Sequence, residues 1–168
     1  VLFARNVAEP KQIYDLCQEI QSLRHKMADK APLFIGIDME GGRVHRLKSP
    51  FTQWPPLKTV GDLDAPTAAY HFALAMGNEL MSVGINLDFA PCVDIFTNPL
   101  NTVIGDRAVS TDPLMVEKMA SALVRGYLKS GIFSCAKHFP GHGHTIIDSH
   151  EELPVEEADL DRLHDVEL

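Results

Sequence analysis

The chain has 168 residues, 45% hydrophobic and 23% charged, with 15 basic against 23 acidic side chains and a formal net charge of −8. That is the composition of one folded globular domain, not of a disordered segment. The acidic balance argues against binding nucleic acid through its phosphates, and no apolar run reaches the roughly 18 residues of a membrane-spanning helix.

The N-terminal Val1-Leu2-Phe3-Ala4 reads as the tail of a strand. Pro10 suits a helix first turn, and Ile13, Leu16, Cys17, Ile20, Leu23 and Met27 follow at helical spacing. Leu33 to Asp38 reads as a second strand, apolar on both faces as a helix-covered strand should be. Pro50 to Leu63 carries prolines and no clear period, which predicts a long loop. Asp64 and Pro66 start a helix that runs to about Val83 and stops at Gly84. Ile85 to Phe89 is a third strand, and Ala90 to Asp112 another long loop. Thr111 or Asp112 caps the next helix, with Pro113 first, a stripe of Val116, Met119, Ala120, Leu123, Val124 and Tyr127, and Gly131 after it. Ile132 to His138 is the fourth strand, and Asp159 to Leu168 begins one more helix.

This β-α-β-α-β-α-β order predicts an α/β fold with parallel strands and right-handed crossovers. The loops after the strands are long and polar, while the returns from helix to strand are short. A TIM (β/α)8 barrel shows that asymmetry between its catalytic and structural ends, and an open doubly wound sheet shows much the same. Four strands do not close an eight-stranded barrel. Residues 1–168 are therefore expected to be part of a barrel, about four βα units, with the remainder of the barrel required and strand edges left unpaired. The first residue is Val1, and no basic start followed by an apolar core marks a leader, so the true start is expected upstream. Cys17, Cys92 and Cys135 are odd in number and widely spaced, which excludes a fully paired disulfide framework and predicts reduced, buried thiols.

Chemistry concentrates at the strand C-termini. Of eight histidines, His138, His142, His144 and His150 fall within 13 positions, between Lys137 and the end of Asp148-Ser149-His150. Asp148 and His150 are two apart, which in an extended segment places both side chains on one side. A carboxylate beside an imidazole fixes its tautomer and suits it to proton transfer near neutral pH. A metal site is the rival, with His142 and His144 facing a cation and His138, Asp148 or His150 completing the shell. Upstream, Asp38-Met39-Glu40-Gly41-Gly42-Arg43-Val44-His45-Arg46 runs an acidic strand end into a glycine turn. A carboxylate there can accept hydrogen bonds from vicinal sugar hydroxyls, or the acids and arginines simply hold the loop. Ile104-Gly105-Asp106-Arg107 read alone is a structural salt bridge, and Asp88 and Asp94 are read as loop-fixing rather than catalytic.

Together, Leu2-Phe3-Ala4-Arg5-Asn6, Asp38 to Val44, Phe89-Ala90-Pro91, Ile104 to Arg107, Lys137-His138-Phe139-Pro140-Gly141-His142-Gly143 and Asp148-Ser149-His150 resemble glycoside hydrolase family three, in its β-N-acetylglucosaminidase branch. The resemblance covers essentially the whole chain. It implies a TIM-type barrel of which this chain supplies the second to fifth βα units. It implies a retaining exo-β-N-acetylglucosaminidase working through a covalent glycosyl-enzyme, on terminal non-reducing GlcNAc of peptidoglycan- or chitin-derived saccharides. The acid–base role falls on His150, oriented by Asp148, in place of the usual carboxylate. Sugar binding falls on Asp38, Arg46, Arg107, Lys137 and His138. The family nucleophile is an Asp of a later strand, which no motif here matches, so this segment by itself is expected to be inactive. No metal and no cofactor are implied. The partner is a small saccharide or muropeptide, with no nucleic acid and no membrane span. Peptidoglycan recycling in a bacterial cytoplasm is the setting suggested. Two alternatives stay open: a metal-dependent hydrolase using the His138–His150 cluster, and a non-catalytic sugar-binding module.

Overall fold

A computed structural model describes residues 1–145 and 159–167. Three helices follow the sequence pattern closely. The first, α1 (Pro10–Ser22), has Pro10 at its start, where the missing N–H costs nothing. It turns Ile13 and Cys17, four residues apart, into the core. The short α2 (Leu57–Gly61) lies where the sequence predicts only loop. Its signal is hidden by the prolines, but Pro56 forms its N-cap and Leu57 and Val60 seat it on the core. The preceding chain is tied to α3 (Pro66–Ser82) through Trp54, which packs edge-on to Phe72 and donates to Glu79 at 3.0 Å.

Ala65, not Asp64, is the N-cap of α3, and its buried stripe is Ala69, Ala73, Met76, Gly77 and Leu80. In α4 (Pro113–Ser130) the Asp112 carboxylate caps the first turn, accepting from the Leu114 amide at 3.1 Å. Val116, Met119, Ala122, Leu123, Gly126 and Tyr127 form the buried face. The two helices approach closely because position 126 has no side chain: a Cβ there would sit 2.3 Å from the Tyr70 carbonyl oxygen. Each large apolar side chain buried between them contributes about 2 kcal/mol. A last short helix, α5 (Leu160–Arg162), is capped by Asp159 and runs on as a π-helical turn, Leu163–Glu167.

The strands are shorter than the sequence predicts: β1 (Gly36–Ile37), β2 (Leu87–Asp88) and β3 (Phe133–Ser134). They pair in parallel in the order β1-β2-β3, with Gly36 opposite Leu87 and Leu87 opposite Phe133. The first predicted strand survives as one parallel bridge, Leu2 to Ile37, and Arg5-Asn6 closes a 3-10 turn, Ala4–Asn6, instead of extending it. A second bridge, Cys92 to Lys137, continues the β2–β3 pairing toward the strand C-termini. Spatial order therefore equals chain order, as in a barrel wall, without the reversal of a doubly wound sheet. The sheet is an unclosed part of a TIM-like barrel.

Its two faces differ. Ile35, Ile37, Met39, Ile85 and Ile132 join one core with Ala73, Met76, Leu80, Met119 and Leu123. On the other face Phe34 and Phe133 stay 66% and 59% exposed. Their rings, from strands on either side of β2, meet edge-on at 5.2 Å, as they would over a concave wall. Cys17 and Cys92 are buried free thiols as expected, but Cys135, which follows β3, is exposed. No helix of the described residues is long and apolar enough to cross a membrane.

Candidate active site

The strand C-termini gather charge that the sequence spreads over a hundred positions. Asp38 and Glu40 leave β1 two residues apart and so point the same way. Lys137, beyond β3, reaches both: its Nζ lies 2.5 Å from Asp38 Oδ1 and 2.6 Å from Glu40 Oε1. Arg107 grips Glu40 with two parallel bonds of 2.8 Å, Nε to Oε2 and Nη2 to Oε1. Such a fork fixes geometry as well as charge. Arg43 builds the support, donating from Nη2 to the carbonyls of Val103 and Ile104 and thereby holding the 3-10 turn Gly105–Arg107 in place. Arg46 is more loosely held, 3.4 Å from Asp38 Oδ2.

Glu40 is 1% exposed at its side chain, while Asp38 is 30% exposed and open to a ligand. Burial pushes the Lys137 ammonium down, and the charges of Glu40 and Asp38 more than reverse this, so it is held above the usual lysine range. Arg107 is likewise raised, with burial outweighed by Glu40. Both side chains therefore remain cations at neutral pH.

His138 stands at the same rim. Its Nδ1 lies 2.6 Å from Asp94 Oδ2 and its Nε2 lies 3.3 Å from Arg107 Nη2. The Lys137–His138 peptide is cis. Asp94 also takes the amides of His142 at 2.6 Å and His138 at 3.4 Å on Oδ1, and the Cys92 thiol at 3.2 Å on Oδ2. Burial raises the Asp94 carboxyl, but hydrogen bonds from His138, Cys92 and the His142 amide leave it below its ordinary value.

The other histidines turn elsewhere. His142 Nδ1 meets Thr145 Oγ1 at 2.5 Å, and His144 Nδ1 meets Thr97 Oγ1 at 3.0 Å. Asn98 and Asn101 donate to the carbonyls of His144 and His142, stitching this turn to the loop after β2. Gly143 makes the approach possible: a Cβ there would fall 1.8 Å from the Ile95 carbonyl oxygen. The rival reading, with His142 and His144 facing one cation, thus meets two rings whose Nδ1 atoms are each already bonded to a threonine. By donor type and spacing, Cys92, Asp94 and His138 are the described residues able to hold a metal, with their ligand atoms within 4.8 Å of one another. Hydrogen bonds already join them, and burial, reinforced by Asp94 and Glu40, pushes the Cys92 thiol far up, so a metal would have to displace a firmly held proton.

Of the residues expected to bind sugar, Asp38, Lys137, His138 and Arg107 meet in one cluster and Arg46 sits at its margin. Asp148 and His150 lie outside the described residues. Glu40, read from the sequence as a strand-end acid, Asp94, read as loop-fixing, and Cys92, read as a buried thiol, were not among the expected site residues. For Glu40 the two-residue spacing from Asp38 was the available signal. For Asp94, which lies in an irregular loop, there was none.

The whole chain, residues 1–168, matches the family described as glycosyl hydrolase family 3 N terminal domain. The chain is a member of that family. It is 40% identical over 166 residues to a β-hexosaminidase of Thiobacillus denitrificans, covering 95% of this chain and 45% of that protein. Among solved structures, a family 3 β-N-acetylglucosaminidase from Paenibacillus superposes with a TM-score of 0.94 at 40% identity, over 99% of this chain and 31% of that one. NagZ of Neisseria gonorrhoeae, in complex with N-trifluoroacetyl-D-glucosamine, superposes at 0.90 with 37% identity, over 99% and 49%. This family 3 chain thus spans half or less of the length of the relatives it matches.

Proposed function

We propose that residues 1–168 form the N-terminal part of the barrel of a retaining exo-β-N-acetylglucosaminidase. The observation that carries this reading is the convergence of Asp38, Lys137, Arg107 and His138 on one open rim, in a chain whose relatives are named β-hexosaminidase. Asp38, partly exposed and already charge-paired, accepts hydrogen bonds from sugar hydroxyls, while Lys137 donates to them. Arg107 and Glu40 hold the wall behind, so the site is organised before substrate arrives. Arg46 closes the margin near Asp38.

In this proposal His150, oriented by Asp148, protonates the leaving oxygen and later activates water. An Asp of a later barrel strand is the nucleophile and forms the glycosyl-enzyme. The substrate is a GlcNAc-terminated saccharide or muropeptide, and the setting is peptidoglycan recycling in a bacterial cytoplasm. The test uses the full-length protein and paired aryl β-N-acetylglucosaminides with poor and good leaving groups. His150→Ala is expected to lower kcat/KM, which reports the glycosylation step, by roughly 100-fold or more for the poor leaving group, within the range of acid–base catalysis, and to spare it for the good one. Equal losses on both would remove His150 from the acid role. Activity that vanishes with a chelator and returns with zinc would favour the metal-dependent alternative.

A further inference from the structure

Four donors converge on the carboxylate of Asp94, which is 2% exposed and lies in the loop after β2. Oδ2 faces His138 Nδ1 and the Cys92 thiol, and Oδ1 faces the amides of His138 and His142. On the far side of the imidazole, Nε2 faces Arg107 Nη2. A guanidinium has donors only, so Nε2 must accept. The ring proton is then on Nδ1, where an ionised carboxylate is waiting for it. Two independent neighbours, one on each nitrogen, demand the same tautomer. His138 is 33% exposed at its side chain, so its rim edge remains open to a ligand.

We propose that Asp94 is a positioning residue for the sugar site: it holds His138 as the Nδ1–H tautomer, whose single Nε2 lone pair faces Arg107 at 3.3 Å and accepts from a substrate hydroxyl when the sugar displaces that long contact. Through the His142 amide the same carboxylate anchors the turn that leads away from the site. The proposal deepens the sugar-binding reading and rests on it for the hydroxyl. The tautomer rests on geometry alone. An asparagine at position 94 has one acceptor oxygen and one amide donor. If the oxygen serves His138 Nδ1, the backbone amides of His138 and His142 face an N–H group. If it serves the amides, the side-chain amide faces Nδ1 and drives the proton to Nε2, against Arg107.

The experiment takes the full-length protein with 15N-labelled histidine, the His138 signals being assigned by their loss in His138→Gln. Wild type is expected to carry the proton on Nδ1 and leave Nε2 bare. Asp94→Asn is expected to raise KM for an aryl β-N-acetylglucosaminide about tenfold or more, with kcat falling less than threefold, and to shift His138 toward Nε2–H. Cys92→Ala, which removes one donor from Oδ2 and nothing from His138, is expected to keep the wild-type tautomer. A wild-type His138 protonated on Nε2 overturns the proposal, with or without glycosidase activity and even if Asp94→Asn does not fold. So does a folded Asp94→Asn protein with unchanged tautomer and KM. A wild type with the Nδ1–H tautomer but no activity on N-acetylglucosaminides supports the positioning and instead overturns the assigned reaction.

Discussion

The strand C-termini and the α3–α4 layer are buried to similar depth by opposite means. Between the helices, Met119 and Leu123 are fully enclosed among apolar neighbours, as is Met76, whose sulfur also accepts from the Tyr127 hydroxyl at 3.3 Å. At the rim, Glu40 and Asp94 are each 2% exposed, and every charge there is matched by ion pairs and hydrogen bonds. Apolar burial stabilises a fold directly. Buried ion pairs roughly break even against well-packed apolar side chains of the same volume, so they are weak devices for stability. Their concentration at the end of the sheet where loops are long marks a region arranged for a polar ligand.

The contrast breaks if single changes in the two regions behave alike. The largest effect is expected at Glu40: Glu40→Gln in the full-length protein leaves Lys137 and Arg107 without their shared acid. It should lose roughly 3–5 kcal/mol in denaturant unfolding. Leu123→Ala empties part of the helix layer and should lose about 3 kcal/mol, with specific activity of the folded fraction unchanged. A variant that lost activity while keeping its stability would place Leu123 in the wrong region.

Asp88 sharpens the comparison because it lies between the two. It is fully buried, with Oδ1 accepting from the Met39 amide at 3.0 Å and, among the described residues, no hydrogen-bond partner within reach of Oδ2. Burial pushes its carboxyl well above its ordinary 3.8, only partly offset by that amide and by Lys137. A carboxyl raised on folding stabilises the fold fully below its unfolded value, and that contribution is lost as pH rises through the folded one. Asp88→Asn should therefore gain stability relative to wild type as pH rises above the ordinary 3.8, read as a difference in Tm, with no such gain below it. A pH-independent difference would show that Asp88 is ionised in the fold. The smallest effect belongs to the surface pair Lys118–Asp64, 3.0 Å apart and half-exposed or more at both ends. Lys118→Ala should change stability by less than about 0.5 kcal/mol.

Local rules made the helices legible. Pro10, Pro66 and Pro113 each open a helix; of the apolar spacing read after Pro10, Ile13 and Cys17 are buried while Leu23 and Met27 lie beyond α1 and are half-exposed, and of that read after Pro113, Val116, Met119, Leu123 and Tyr127 are buried. Parallel order was legible from alternation of strands and helices. The strands' true lengths were not, because an apolar run such as Leu33 to Asp38 looks the same whether its backbone pairs with a strand or with side chains. Here Gln21 and Asn86 amides take the bonds of Leu33 and Ile35 that a strand neighbour would otherwise make. Proline obscured α2. At the rim, Asp38, Lys137 and His138 stood out by motif. Asp94 did not, since its role depends on a loop crossing to the next strand end, a contact separated by 44 positions in sequence.

In the proposed function, the rim carrying Asp38 and Lys137 binds an amino sugar. Calorimetric titration of N-acetylglucosamine into the full-length protein, wild type against Lys137→Ala, tests it most directly. Wild type is expected to bind saturably, and the variant about tenfold or more weakly, as when one charge-assisted hydrogen bond is removed. Equal affinity in the two proteins would contradict it.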